Sequence, residues 1–485
     1  MKPEVNLGPY EMVIGLETHV QLRTKTKLFC SCATSFGAEP NTQVCPVCMG
    51  LPGALPVVNA HAVRLAALAG LALEARIHPV SRFDRKHYFY PDLPKGYQIS
   101  QFFHPLCQGG RLVIQTGAGP KVVGITRIHM EEDAGKLLHG GEAGSLLDLN
   151  RCGVPLIEIV TDPDIAGPQE ACAYLRKLRA VLTCAGVSDC RMNEGSLRCD
   201  VNLSLRKPGA LLGVRTEIKN LNSFQSVERA IWAEAARQAE ALRRGEPILR
   251  ETRRFDPVTG RTYAMRMKES TQEYCFFPEP DLPPVLLRPE TVKDLRASLP
   301  ILPDARTERF MTVFGLSPYV AEQLTQRRWL ADYFEETACL AHNPVSVANI
   351  LLGEVFALLK ARQGEETDGI PVAPRRLAAL SDLVSGGQVN SSAGKRILAA
   401  LFEEDFEPWE YARSFDLLLL REERALREAV SRALEENPAM VAAYRGGKSS
   451  VEQALMGKAM ALTGGKAEPE MLKKLLREAL QEQTT

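Results

Sequence analysis

The sequence has no surplus of either charge: 59 basic residues balance 59 acidic ones. That excludes a general polyanion-binding coat and leaves nucleic-acid contact to local basic patches. No apolar run approaches the roughly 20 residues that span a bilayer. Met1 to Tyr10 lacks a basic stretch followed by an apolar core, so no signal peptide is expected and the expected home is the cytosol (cytoplasmic), with no membrane partner. There is no Walker A motif, no dinucleotide glycine fingerprint and no protein-kinase signature set. Any ATP chemistry must therefore use another scaffold. A Gly/Ser-rich amidase stretch is also missing, so glutamine hydrolysis is not expected here. No internal repeat or low-complexity tract stands out, and no cysteine lies beyond Cys339.

What is present is enough for two to four domains: 485 residues, 45% of them hydrophobic. The first ~300 residues mix strand and helix patterns. In Met12–Arg23, Met12, Ile14, Leu16, Val20 and Leu22 alternate with Glu17, His19, Gln21 and Arg23. Leu197–Arg206 and Val214–Lys219 alternate likewise, the pattern of antiparallel strands with one buried face. Helices are predicted over Ala60–Ala75, over Pro168–Val187, and from a Ser223 cap to Arg244 with Gly245 behind it. The proline cluster Pro278–Pro284 precedes a change to helical patterns, interrupted by a loop at Asp368–Pro374 and a break near Pro408. The expected organisation is α+β: a sheet-based catalytic domain over 1–295, a helical domain over 296–407 and a helical tail over 408–485.

Three constellations carry chemistry. Of twelve cysteines, Cys30-x-Cys32 and Cys45-x-x-Cys48 form two close pairs, with Gly37, Pro40, Pro46 and Gly50 supplying turns. In a chain without a secretion signal such pairs fit a closed, structural zinc tetrahedron better than disulfides; four reduced cysteines packed as small apolar groups are the plainer alternative. The second constellation is acidic. Glu17 and His19 share a strand face, His129-Met130-Glu131-Glu132-Asp133 ends another strand, Glu158 interrupts the apolar run Val154–Val160, and Asp200 and Glu217 lie on polar strand faces. Carboxylates gathered on one sheet surface repel unless a hard cation sits among them, which suggests a magnesium–nucleotide site; a solvated polar face is the alternative for any one of them. The third is Phe83–Gln98, where Arg85, Lys86, His87 and Lys95 interleave with aromatics, as a loop that holds phosphate and stacks a base would. Arg198, Arg206, Lys219, Arg254, Arg266 and Lys268 could add phosphate contacts.

Val13–Leu22, Phe83–Gln101, His129–Lys136, Asp148–Asp164, Glu194–Asn202, Glu217–Phe224 and Phe277–Pro283 together resemble, in order and spacing, the B subunits of the glutamyl/aspartyl-tRNA amidotransferases. A fainter likeness covers Asn437-Pro438, Tyr444–Lys448 and Gly464–Ala467. The resemblance implies a cradle with a glutamine-synthetase-like antiparallel sheet, then a helical domain and a tail that contacts tRNA. It implies ATP-dependent phosphorylation of the side-chain carboxylate of a misacylated Glu-tRNA(Gln) or Asp-tRNA(Asn). Ammonia from a glutaminase partner, the amidase or A subunit, then displaces the phosphate. A small C subunit would clasp the two large ones, and a non-discriminating aminoacyl-tRNA synthetase is a further partner. Carried over, Glu17, His19, Glu131, Glu132 and Glu158 would hold Mg²⁺, Lys86 would meet ATP phosphates with Arg198 and Lys219, and Asp200 would support the site. The chain departs from the family where Glu273-Tyr274-Cys275-Phe276-Phe277 replaces the usual Asp-Tyr-Arg-Tyr-Phe.

The chemistry is coherent, since a carboxylate is a poor acceptor for ammonia until phosphorylation supplies a leaving group. Two other classes fit parts of the pattern. A zinc-containing nucleic-acid-binding module leaves the acidic face unexplained. A stand-alone ligase of the glutamine-synthetase kind leaves the helical C-terminus idle. Within that C-terminus, Tyr444, Arg445, Lys448, Lys458, Lys466, Lys473 and Lys474 are the candidate tRNA contacts.

Overall fold

Alternation over the first predicted strand produces β1 (Glu11–Gln21) at the centre of a ten-stranded sheet. Its partners, in chain order, are β2 (Gly119–Glu132), β3 (Pro155–Thr161), β4 (Leu197–Arg206), β5 (Thr216–Lys219), β6 (Glu251–Asp256) and β7 (Arg261–Met267). They lie in the order β7-β6-β5-β4-β1-β3-β2, and three short strands extend the β2 flank. The computed structural model describes residues 6–140, 144–267, 274–363, 369–446, 448 and 450–482.

Most neighbours pair antiparallel, as the alternating patterns require. The exception is β5 beside β6, which run parallel. Parallel neighbours need a long crossover, and the helix α3 (Phe224–Arg243), capped by the Ser223 hydroxyl accepting from the Ser226 N–H, supplies it. Together with α1 (Ala60–Ala72) and α2 (Pro168–Cys184), α3 covers the apolar face of the sheet. Ile14, Leu16, Val20, Ile157, Ile159, Val201 and Leu203 from the strands bury against Ala66, Leu175, Leu178 and Ile231 from the helices. Each large aliphatic side chain removed from water contributes about 1.5–3 kcal/mol. Because side chains alternate along a strand, fixing that face inward turns Glu17, His19, Glu158, Asp200 and Glu217 to the other.

A separate three-stranded sheet places Asp84–His87 between Tyr97–Ser100 and Cys275–Pro278. Arg85 fastens it: its guanidinium meets Glu279 through two hydrogen bonds (2.7 and 3.0 Å) and lies over the Tyr97 ring.

The chain divides into two compact units, Met1–Ala305 and Arg306–Thr485. The second is helical and contains two hydrophobic clusters, one running from Phe310 to Leu417 and one from Leu426 to Leu480. Ala412 and Leu417 belong to the first cluster, so the division between these cores lies beyond residue 408. The continuous helical stretch Pro344–Arg362 is 19 residues long with a mean hydropathy of 1.5, long and apolar enough by composition to cross a membrane. This corrects the expectation that no apolar stretch approaches that length. Its Val347, Ala348, Leu351, Val355 and Leu359 form one helical stripe buried in the first cluster, the pattern of a helix that packs one face against a core, with 28% of the apolar window buried.

Candidate active site and metal centres

The polar face of the sheet carries two groups of ligands side by side. In the first, His19 Nε2 lies 3.5 Å from Glu131 and 3.4 Å from Glu158. His129 Nε2 approaches the same carboxylates at 3.8 and 3.5 Å. Strand register explains the convergence, because His19 stands opposite Glu158 and Glu158 opposite His129. In the second group, Glu17 faces Asp200 across β1 and β4, and Glu217 stands opposite Asn202 on the far side of β4. The Asn202 amide donates to Glu17 (2.8 Å), and Thr252 donates to Glu217 (2.8 Å). Within each triad, His19/Glu131/Glu158 and Glu17/Asp200/Glu217, potential ligand atoms lie within 4.8 Å of one another.

Burial and close opposite charges compete in both triads. Burial works against the His19 imidazolium, but the hydrogen bond and charge of Glu158, then Glu131 and Asp200, push its pKa up to about 9. Glu158 itself is held low: burial raises it, but His129, His19 and Lys86 outweigh that. Glu131 is lowered against burial by its hydrogen bond to His129 and the charge of His19. Burial, with the charges of Glu158 and Glu217, raises Glu17, and the hydrogen bond from Asn202 offsets this only in part. Mixed imidazole and carboxylate ligands on one wall, carboxylates alone on the next, suit hard divalent cations.

Glu132 does not join these triads. It follows Glu131 on one strand, so alternation sends it to the opposite face, where its carboxylate pairs with Lys95 and accepts from the Ile99 N–H (2.8 Å). The sequence expectation grouped Glu132 with the magnesium ligands; the strand geometry separates them. Conversely, His129 and Glu217 enter the clusters although neither was among the carried-over ligands. Alternation alone places His129 on the face of Glu131.

Among the cations, Lys86 belongs to the three-stranded sheet, lies close enough to Glu158 to lower its pKa, and rests 4.8 Å over the Tyr274 ring. Lys219 pairs with Asp200 and Glu217, which raise it against the cost of burial. Arg198 is opposite His19 and donates to Asp133 (2.6 Å). Lys268 lies outside the described residues, as do Glu273 and the side chains of Arg266 and Arg445.

The four knuckle cysteines also converge: their sulfurs lie within 4.8 Å of one another, with Cys45 and Cys48 3.9 Å apart. A zinc tetrahedron with ~2.3 Å Zn–S bonds has edges of about 3.8 Å, so the donor set fits. Cys48 is lowered to about 4, chiefly by the hydrogen bond from Cys30. The knuckle is clasped to the segment 147–152. Asn41 donates to the Leu147 carbonyl (2.9 Å) and accepts from the Leu149 N–H (2.8 Å), and the Gln43 N–H donates to Asn150 (2.8 Å). Arg151 then reaches the carbonyls of Ala134 and Gly135 at 3.0 and 2.8 Å, behind Glu131.

Comparison with known proteins agrees over both units. Residues 12–293 match the family model described as the GatB/GatE catalytic domain, and residues 332–480 match the GatB domain. The B subunit of the aspartyl/glutamyl-tRNA(Asn/Gln) amidotransferase of Caldicellulosiruptor saccharolyticus is 47% identical over 97% of this chain and 99% of its own length. That of Caldanaerobacter subterraneus subsp. tengcongensis is 48% identical over 97% and 99%. That of Nitratidesulfovibrio vulgaris is 47% identical over 98% and 100%. With matches over nearly the whole of the chain and of each relative, this protein belongs to the B-subunit family of the aspartyl/glutamyl-tRNA(Asn/Gln) amidotransferases.

Proposed function

We propose that this chain activates and amidates the side-chain carboxylate of glutamate or aspartate esterified to tRNA(Gln) or tRNA(Asn), with ATP as the phosphoryl donor. The observation that carries the reading is the pair of adjacent ligand triads on one sheet face. Bound there, Mg²⁺ would neutralise phosphate oxygens and lower the repulsion between ATP and the carboxylate.

The reaction balances as two displacements. The substrate carboxylate oxygen attacks the γ-phosphorus and ADP leaves. Ammonia then attacks the acyl carbon, the phosphate departs with the bonding electrons, and nitrogen loses a proton. The roles of the chain follow from position. His19, Glu131 and Glu158 form one cation-holding wall, with Glu17, Asp200 and Glu217 beside it. Lys86 approaches from the neighbouring sheet to face phosphate charge, joined by Arg198 and Lys219 at the rim. Asp133 fixes Arg198 in place. Separation of the acyl phosphate from water calls for a delivered nucleophile, so a glutamine-hydrolysing amidase and a small clasping protein are the proposed partners, in a cytoplasmic assembly. The four-cysteine knuckle holds a structural Zn²⁺ in this reading, and the second cluster of the helical unit, with exposed lysines such as Lys458 and Lys474, takes the tRNA body.

Phosphate release by the reconstituted complex tests this reading. It should require ATP and a misacylated tRNA and should fall at least a hundredfold in Glu158→Gln. Equal release with free glutamate would favour a small-molecule ligase and overturn the proposal.

A further inference from the structure

Lys27 has an unusual environment. It follows β1, its side chain is fully buried, and its ammonium contacts Cys48 Sγ at 3.5 Å and the Leu149 carbonyl at 3.3 Å. No carboxylate among the described residues forms an ion pair with it. One carboxylate lies across Gly153, where an added Cβ would sit 3.5 Å from Lys27 Cδ and 3.9 Å from Glu132 Oε2, but Glu132 is already engaged by Lys95. A buried ammonium needs compensating charge. Four thiolates around one Zn²⁺ carry two net negative charges, and the Lys27 ammonium touches one of the four, Cys48.

The contact also has a direction. Leu149 lies in the segment clasped by Asn41, and two residues later Arg151 approaches Asp133 at 3.4 Å. Asp133 in turn holds Arg198, opposite His19. The Cys152 thiol donates to the Cys48 carbonyl (3.2 Å), a second tie between the knuckle and this segment.

We propose that Lys27 is the outer-sphere cation of the four-cysteine centre: it offsets the charge of the loaded thiolates and links them to the 147–152 segment, so that metal retention and the placement of Asp133 and Arg198 are coupled. The inference rests on the zinc reading above, and Lys27 acts as a positioning residue.

The test compares the full-length wild-type chain with Lys27→Met, Lys27→Gln and Lys27→Arg by zinc competition against a chromogenic chelator. The neutral variants should release zinc at chelator concentrations about 10–100-fold lower, the range typical for loss of an outer-shell partner. The arginine variant should stay within about threefold of wild type. Cobalt-substituted protein should keep its thiolate-to-metal charge-transfer band in every folded variant, because all four sulfurs remain. Wild-type zinc affinity in either folded neutral variant overturns the proposal, as does loss of that band. If neither neutral variant folds, an arginine variant that is unfolded or zinc-free overturns it. Wild-type protein that binds no zinc would sink the zinc reading itself, a separate result.

Discussion

Glu158→Gln probes the acidic wall most sharply, because one oxygen-to-nitrogen change should reset its neighbour. In the metal-free protein His19 is pushed from 6.5 up to about 9, against burial, first by its hydrogen bond to Glu158 and by that carboxylate's charge. At 1.36 kcal/mol per pH unit this gap corresponds to about 3 kcal/mol in favour of the imidazolium. A folded-state value raised above the unfolded one means that the stabilisation is fully present below pH 6.5 and is lost as pH rises through about 9. The amide keeps the shape and removes the charge, so burial should prevail and His19 should titrate at or below its ordinary value. Histidine proton resonances followed by NMR between pH 5 and pH 10 would report this directly. The stability difference between wild type and variant should shrink by a few kcal/mol from pH 6 to pH 10. His19 titrating near 9 in Glu158→Gln would refute the assignment of Glu158 as its main support. Divalent-cation binding to the His19 triad requires the neutral imidazole, so Mn²⁺ uptake there by wild type at pH 7 should release close to one proton, seen as buffer-dependent heat in calorimetry.

Neighbouring geometry makes three more outcomes measurable. Glu132→Gln should cost about 3–5 kcal/mol of stability by leaving the Lys95 ammonium buried without its partner, while Mn²⁺ affinity changes less than tenfold; chemical denaturation and metal titration would separate the two. Elemental analysis should find about one zinc per chain, absent in Cys48→Ser, as a single four-thiolate site requires. A chain ending after Leu419 keeps Ala412 and Leu417 in the first helical core, so it should fold, and its tRNA affinity should fall with a flatter salt dependence; unchanged affinity would remove the tail from tRNA recognition.

The sequence displayed the strands of the site well, because each has one buried face and period-2 alternation fixes which residues share the other. Glu17 with His19, and Asp200 with Asn202, could be paired before any coordinates. The same rule applied to His129-Met130-Glu131-Glu132 separates Glu132 from Glu131, and a strict use of it would have replaced Glu132 with His129. What alternation cannot supply is the order of strands. The division of the carboxylates into two triads follows from β1 lying between β3 and β4, and the parallel β5/β6 pair follows from the crossover of α3; both depend on contacts distant in sequence. Lys95 could be placed in the basic, aromatic-rich loop, but its pairing, like that of Lys27, could not be read from the sequence for a related reason. Their partners Glu132 and Cys48 lie far along the chain, and nothing local marks a lysine as buried. The knuckle was legible because paired cysteines with intervening turn residues restrict the backbone locally.

Whether the two triads serve phosphoryl transfer to a carboxylate carried by tRNA is read out by phosphate release from the reconstituted complex. The assay compares Glu-tRNA(Gln), Asp-tRNA(Asn), uncharged tRNA and free glutamate, each with ATP and Mg²⁺. ADP and phosphate should form only with a misacylated tRNA, and that release should be lost in both Glu158→Gln and Glu17→Gln. Release at the wild-type rate in either variant, or release with neither charged tRNA, would contradict the assignment.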